Sequence, residues 1–269
     1  MKNKKFMKIM ALALGAALAC FALAACGSSS SSSEDASSSA AASGDYTLVK
    51  DGTLTVVTSA DYPPFEYMDG DEIKGYDADL IREVAKRLGL EADISHMAFD
   101  SLLTQVSGGA ADVTISAITV TDDRLKDVDF TNSYYDSNLA VVTLADSDIA
   151  SSDDLEGKTI GAQSGTSGED WVKENVGDDN YTPFQEMTEA LASLRSGKVE
   201  ALVFDLPSAE NYVSTSFTDC KVVEAIPTGE QYAIAVNKDN AALTAAINQA
   251  LADMEADGTL DTLEKELSQ

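Results

Sequence analysis

The chain has 269 residues, with 18 Lys and Arg against 46 Asp and Glu, and carries a formal net charge of −28 at pH 7. That balance excludes nucleic acid as a partner, because phosphate binding needs clustered Lys and Arg. One histidine (His96) and three cysteines (Cys20, Cys26, Cys220) exclude a multi-His zinc site and a disulfide framework, and no metal or cofactor is expected. Apolar residues make up 44% of the chain, enough for a packed core in one large or two modest domains.

Residues 1–25 read as a signal peptide. Lys2, Lys4, Lys5 and Lys8 precede an apolar run, Ile9 to Ala25, that is too short and Ala-rich to span a membrane. The run ends in Leu23-Ala24-Ala25-Cys26, which resembles the bacterial lipobox. The resemblance implies cleavage before Cys26 and lipidation of its sulfur, so that acyl chains anchor the protein at the membrane surface. An ordinary secretory signal is the alternative. Beyond residue 25, 14 basic residues face 46 acidic ones, a net −32. Residues 26–45 are almost pure Ser, Ala and Gly and read as a flexible tether.

Folded structure is expected from Tyr46. Thr53–Ser59 alternates as a first strand, and Tyr62-Pro63-Pro64-Phe65 then puts aromatic side chains on a stiff loop. Gly75 opens a helix to about Leu88, with Leu80, Val84 and Leu88 on one face. Leu90–His96 reads as a second strand, and a short helix begins at Phe99. Val113–Ile118 reads as a buried strand. This β-α-β-α-β order predicts a parallel sheet covered by helices.

Beyond that third strand lie Thr119, Thr121 and Arg124. A hydroxyl and a guanidinium past a strand's C-terminal end are where α/β sheets place ligand contacts. Arg suits a carboxylate because its planar fork makes two parallel charge-assisted hydrogen bonds. The alternative is a surface pairing of Arg124 with Asp122, Asp123 or Asp127. Leu139–Thr143 reads as a strand leaving the first lobe. Thr159–Ala162 is a strand running into Gln163-Ser164-Gly165-Thr166-Ser167-Gly168, whose free N–H groups at a helix start suit an anion. It lacks the Lys of a nucleotide-binding loop. Ala201–Phe204 is a buried strand ending in Asp205, which suits an ammonium or, alternatively, caps the following helix. Tyr232–Val236 returns to the first lobe, and Ala241–Asp257 is a long helix.

Tyr62-Pro63-Pro64-Phe65-Glu66, Gly75-Tyr76-Asp77-Ala78-Asp79-Leu80, Ile118-Thr119-Val120-Thr121-Asp122-Asp123-Arg124 and Val128-Asp129-Phe130 occur in that order. Leu155-Glu156-Gly157-Lys158, Gln163-Ser164-Gly165-Thr166, Ala201-Leu202-Val203-Phe204-Asp205 and Ala256-Asp257-Gly258-Thr259-Leu260 follow. The collinear set resembles the family 3 extracellular solute-binding proteins, the polar amino-acid receptors of bacterial ABC importers.

The resemblance implies an α/β, type II periplasmic-binding fold with two hinge strands, near Leu139–Thr143 and Tyr232–Val236. Lobe 1 would comprise residues 46–140 and 233–269, and lobe 2 residues 141–232. It also implies a monomeric, extracytoplasmic, lipid-anchored receptor that passes a free polar or basic L-amino acid to ABC permease subunits. Arg124 and Thr119, with backbone near Ala117 and Ser167, would hold the α-carboxylate. Asp205 would hold the α-ammonium, assisted by the Ala117 carbonyl. Tyr62 and Phe99 would sandwich the ligand side chain, and Ser59, Gln163 and Phe204 would read its end. Ser59 stands where several basic-amino-acid binders carry Asp, which leaves Asp61, Glu66 and Asp77 as nearby acids. The alternatives are a secreted dehydratase of the same fold and a sensor protein that presents its ligand to a receptor. With a single histidine and no nucleophile–His–acid pattern, the chain is read as a non-enzyme.

Overall fold

The structure is a computed structural model that describes residues 46–267. The signal segment 1–25, Cys26 and the tether 26–45 lie outside the described residues.

The first half builds β1 (Thr53–Thr58), a small three-stranded sheet of β2 (Asp61–Tyr62), β3 (Glu66–Asp69) and β4 (Glu72–Lys74), and helix α1 (Tyr76–Arg87). It continues through β5 (Glu91–His96), α2 (Phe99–Ser107), β6 (Val113–Thr114) and β7 (Val128–Phe130). The second half builds β8 (Tyr135–Leu144), β9 (Ile160–Gln163), α3 (Ser167–Asn175), β10 (Tyr181–Phe184) and α4 (Met187–Arg195). Then come β11 (Ala201–Asp205), α5 (Leu206–Thr215), β12 (Cys220–Tyr232), β13 (Ala235–Asn237), α6 (Ala241–Ala256) and α7 (Thr259–Leu267).

Two five-stranded sheets result, ordered β5-β1-β6-β13-β7 and β10-β9-β11-β8-β12. In each, three strands run parallel and the remaining pairings are antiparallel. The parallel strands are rich in buried Val, Ile, Leu and Ala because helices cover them. Helix α1 supplies Leu80, Ile81 and Val84, all fully buried, at the spacing of a single helical face.

The chain passes between the sheets twice, at 131–134 and at 233–234. The two crossings are tied together: Thr131 N donates to Ile234 O at 3.0 Å and Tyr134 N to Tyr232 O at 2.9 Å. β8 lies in the second sheet along its whole length, so Leu139–Thr143 pairs with β11 and β12 and the chain leaves the first sheet several residues earlier. Tyr232 likewise ends β12, and only Ala235–Asn237 returns to the first sheet. Leu139–Thr143 read as a crossing because its apolar run cannot say which sheet buries it.

Two further expectations are corrected. The strand expected over Val113–Ile118 is only two residues long. It stops because the chain turns at Ala117, whose φ is +46°, an angle outside the strand region. The segment around the Pro pair is more regular than a loop, since β2, β3 and β4 pair there.

Gly75 precedes α1 with φ +111°, and a Cβ there would lie 2.3 Å from Phe65 O. Both the backbone angle and the close approach require glycine. Gly75→Ala is expected to destabilise the protein by about 3 kcal/mol or more, read as a lowered midpoint in urea unfolding.

Candidate functional site

Residues from both sheets meet in one cleft. Ser59 and Tyr62 follow β1, Gln163 ends β9 and Asp205 ends β11, the strand termini where α/β sheets bind ligands. The lining comprises Ser59, Tyr62, Phe99, Ala117, Thr119, Arg124, Gln163, Ser167 and Asp205 from the sequence reading. Glu66, Ser116 and Thr166 complete it.

Phe204 is not in the lining. It is 2% exposed and packs edge-on against Tyr62 and Tyr212, with ring centroids 6.3 Å away in each case. Strand alternation explains this: Asp205 and Phe204 are adjacent in β11, so they point to opposite faces.

Arg124 sits in a 3-10 turn, Arg124–Lys126. Its guanidinium donates to Thr119 O at 2.6 Å and to Gly165 O, in the other lobe, at 2.8 Å. It also lies 5.6 Å from the centre of the Phe99 ring. The alternative pairing with neighbouring acids does not form: Lys126 takes Asp123, and Arg124 bonds carbonyls instead. Burial lowers its pKa, which the charges of Asp170, Asp205 and Glu230 partly offset.

Asp205 occupies the N-cap position of α5, yet its side chain makes no capping bond. The Tyr62 hydroxyl reaches across the cleft instead, donating to the Asp205 carboxylate and accepting from Asp205 N at 3.0 Å. No donor from another group reaches Asp205 Oδ1, and burial raises the pKa of the group. Ser167 opens α3, and its hydroxyl lies 3.5 Å from that of Thr119 in the other lobe. Thr166 caps this helix by accepting from Glu169 N at 3.2 Å. Ala117 N–H donates to Asp77 at 2.7 Å, so it is not free for a ligand carboxylate.

Glu66 is 1% exposed and accepts from Ser116 Oγ at 2.8 Å, and its carboxyl group lies within hydrogen-bonding reach of that of Asp77. Burial, and next the charge of Asp77, push its pKa well up. Its signal in the sequence was the motif Pro64-Phe65-Glu66. Ser116 and Thr166 had no signal beyond their place next to expected site residues.

The lobes are drawn together. The cavity between the lining residues is about 10 Å³, on the order of one water, so an amino acid enters only if they part. Asp61 anchors the closed rim: its carboxylate accepts from Met187 N at the start of α4, and its carbonyl accepts from the Tyr212 hydroxyl. Glu186 lies against Asp61, and burial followed by that charge raises its pKa to about 7. A wider groove on the outer face, about 620 Å³, is lined by Pro63, Tyr67, Arg82, Asn211 and Leu263. It contains none of the buried unpaired acceptors that distinguish the cleft.

A cleft between two hinged α/β lobes, lined by charges of opposite sign from opposite lobes, defines a solute receptor that closes on its ligand. The profile of the bacterial extracellular solute-binding proteins, family 3, matches residues 54–267. The arginine-binding extracellular protein ArtP of Bacillus subtilis is 35% identical over 268 residues, covering 96% of this chain and 97% of that protein. The L-cystine-binding protein TcyA of the same organism is 35% identical over 266 residues, with the same coverage of each. A crystal structure of a mutant of the arginine-binding protein ArgBP from T. maritima superposes with a TM-score of 0.77 at 37% identity. That match covers 81% of this chain and 96% of the other. The chain therefore belongs to family 3 of the bacterial extracellular solute-binding proteins, and it is a binding protein, not an enzyme.

The buried acids set the pH dependence of stability. Burial raises Asp77 to about 6, Glu186 to about 7 and Glu230 to about 8. Groups with raised pKa contribute stability that is complete below their unfolded values and is lost as pH rises through the folded ones. The melting temperature of the unliganded protein is expected to fall between about pH 5 and about pH 8. A melting series in matched ionic strength checks this; a rise over that interval would contradict it.

Proposed function

We propose that the cleft takes a free basic L-amino acid, with L-arginine the leading choice, and delivers it to the permease of an ABC importer. Arg124, with Thr119 and the start of α3 at Ser167, holds the α-carboxylate. Asp205 holds the α-ammonium. Phe99 and Tyr62 flank the stem, and Glu66 receives the cationic end, with Ser59 and Gln163 beside it. The observation that carries the reading is the placement of two buried carboxyl groups, Glu66 and Asp205, in the lining of the same cleft as Arg124. Buried carboxylates call for cations. A basic amino acid brings two cations and one carboxylate, and the carboxylate matches the lone guanidinium. The arginine-binding names of ArtP and ArgBP support this choice. TcyA, a cystine-binding relative, supplies the main competitor, whose two ammonium groups suit the same acids.

The same reading divides the lobes where the strands change sheet, at 131–134 and 233–234. Closure then has a physical cause: the zwitterion bridges Arg124 on one lobe and Asp205 on the other, so it binds the closed state better than the open one. Lipidation at Cys26 anchors a monomeric receptor outside the membrane. Cys26→Ser is expected to release the protein from the membrane fraction.

Thermal unfolding against each L-amino acid tests the ligand. At about 1,000 times its dissociation constant a ligand adds about 4 kcal/mol, or about 10 °C. That shift is expected with L-arginine and is lost in Arg124→Ala and Asp205→Ala. Glu66→Gln is expected to weaken L-arginine about tenfold, the value of one charge-assisted hydrogen bond, while leaving L-glutamine within about twofold. Equal losses on both ligands would remove Glu66 from the side-chain pocket.

A further inference from the structure

A second acid stands beside the ammonium anchor. Asp205 ends β11 and Glu230 lies in β12, on either side of β8 in the same sheet. They are 6% and 8% exposed. No donor from another group reaches Asp205 Oδ1 or Glu230 Oε2, and the two carboxyl groups lie within hydrogen-bonding reach of each other. Asp205, Ser167 and Arg124 are the polar neighbours of Glu230, and all three line the cleft. Tyr62 and Tyr232 face Asp205 as well, and Asp170 faces Arg124. Glu230 therefore reaches the cleft through the residues that line it, and β12 holds it there, next to the crossing back to the first sheet.

Two adjacent buried carboxylates do not both ionise without a cation between them. Among the described residues Arg124 is the cation facing the pair, and the proposed function commits it to the ligand carboxylate. Burial and then the charge of Asp205 raise Glu230 to about 8, so the pair holds a proton at neutral pH. We infer that Glu230 is a second carboxylate for the ligand α-ammonium, and that the ammonium replaces a proton shared by Glu230 and Asp205. The proton balance is simple: a carboxylic acid beside a carboxylate becomes two carboxylates against one ammonium, and the proton passes to solvent. This inference rests on the amino-acid reading of the cleft.

Titration calorimetry of the intact protein with L-arginine, in two buffers of different ionisation enthalpy, counts the proton directly. Release of up to about one proton per ligand from this pair is expected near pH 7, fading toward pH 9, beside any proton that Glu66 gives up to the cationic end, and affinity should rise by up to about tenfold per pH unit below pH 8 for each proton released. Glu230→Gln should release about one proton fewer than wild type and bind about tenfold more weakly at pH 8. Its unliganded melting temperature should be equal or higher, because a buried acid is gone; a merely structural role would lower it. Wild-type binding without proton release overturns the inference, as does a Glu230→Gln protein that releases as many protons as wild type. If that variant does not fold, the same comparison on Glu66→Gln decides the matter: it keeps the Glu230–Asp205 pair and should still release a proton, and its failure to do so overturns the inference. Failure of wild type to bind any amino acid overturns the ligand reading, and this inference with it.

Discussion

Burying a charge is costly unless an opposite charge or several hydrogen bonds meet it, and the closed cleft is built around that constraint. Asp205, Glu66 and Glu230 are each more than nine-tenths buried, and each lies within hydrogen-bonding reach of another carboxyl group. Arg124, on the opposite lobe from Asp205 and Glu230, satisfies its guanidinium with backbone carbonyls. The closed protein thus has acceptors for cations and a donor for a carboxylate, held apart by geometry. Under the proposed function, a ligand bearing both charges would resolve the mismatch, and this difference in electrostatic satisfaction would couple binding to closure.

The fold supplies the means of moving. Two short crossings, hydrogen-bonded to each other, connect lobes that are otherwise separate sheets. Around them packs an aromatic cluster: Tyr135 stacks on Tyr232 with centroids 5.7 Å apart, and Phe65 meets Tyr232 edge-on at 5.3 Å. Such packing makes the crossing stiff in most directions and leaves bending as the available motion. At the rim, Asp61 of the first lobe holds the second lobe twice, with its carboxylate on the start of α4 and its carbonyl on Tyr212 of α5. Glu186 against Asp61 works the other way, since closure brings two acids together. The closed state is a balance that a ligand can shift.

Helix termini and strand ends divide the work. Strand ends deliver Ser59, Gln163 and Asp205, because parallel strands covered by helices expose only their ends. The start of α3 delivers Ser167 with the positive end of a helix dipole. Gly168 lets that helix sit close to β11, where a Cβ would come within 2.7 Å of Val203 O. The backbone at Ala117, with positive φ, is fixed by the Asp77 carboxylate and, through it, by Tyr134 at 2.7 Å. A strained residue at the cleft is thereby held from beneath by a buried polar network.

The sequence by itself determined the α/β class, most helices and parallel strands, and the gathering of Tyr62, Thr119, Arg124, Gln163 and Asp205 at strand ends. The class and the elements follow from local periodicity and turn chemistry, which neighbouring residues carry on their own, and the gathering of the site residues from the resemblance that the collinear motifs carry. Collinear motifs added the two-lobed architecture. Only the tertiary structure decided that Leu139–Thr143 belongs wholly to the second sheet, that the strand at Val113 stops after two residues, and that Phe204 faces away from the cleft. It alone brought Ser116 and Glu230 to the site, and among the nearby acids Asp61, Glu66 and Asp77 it picked Glu66 for the lining. The reason is physical: an acidic residue in a sequence of 46 acids carries no mark of burial. Whether a carboxylate meets water, a cation or another carboxylate is decided by elements far apart in the chain, such as β11 and β12 on either side of β8.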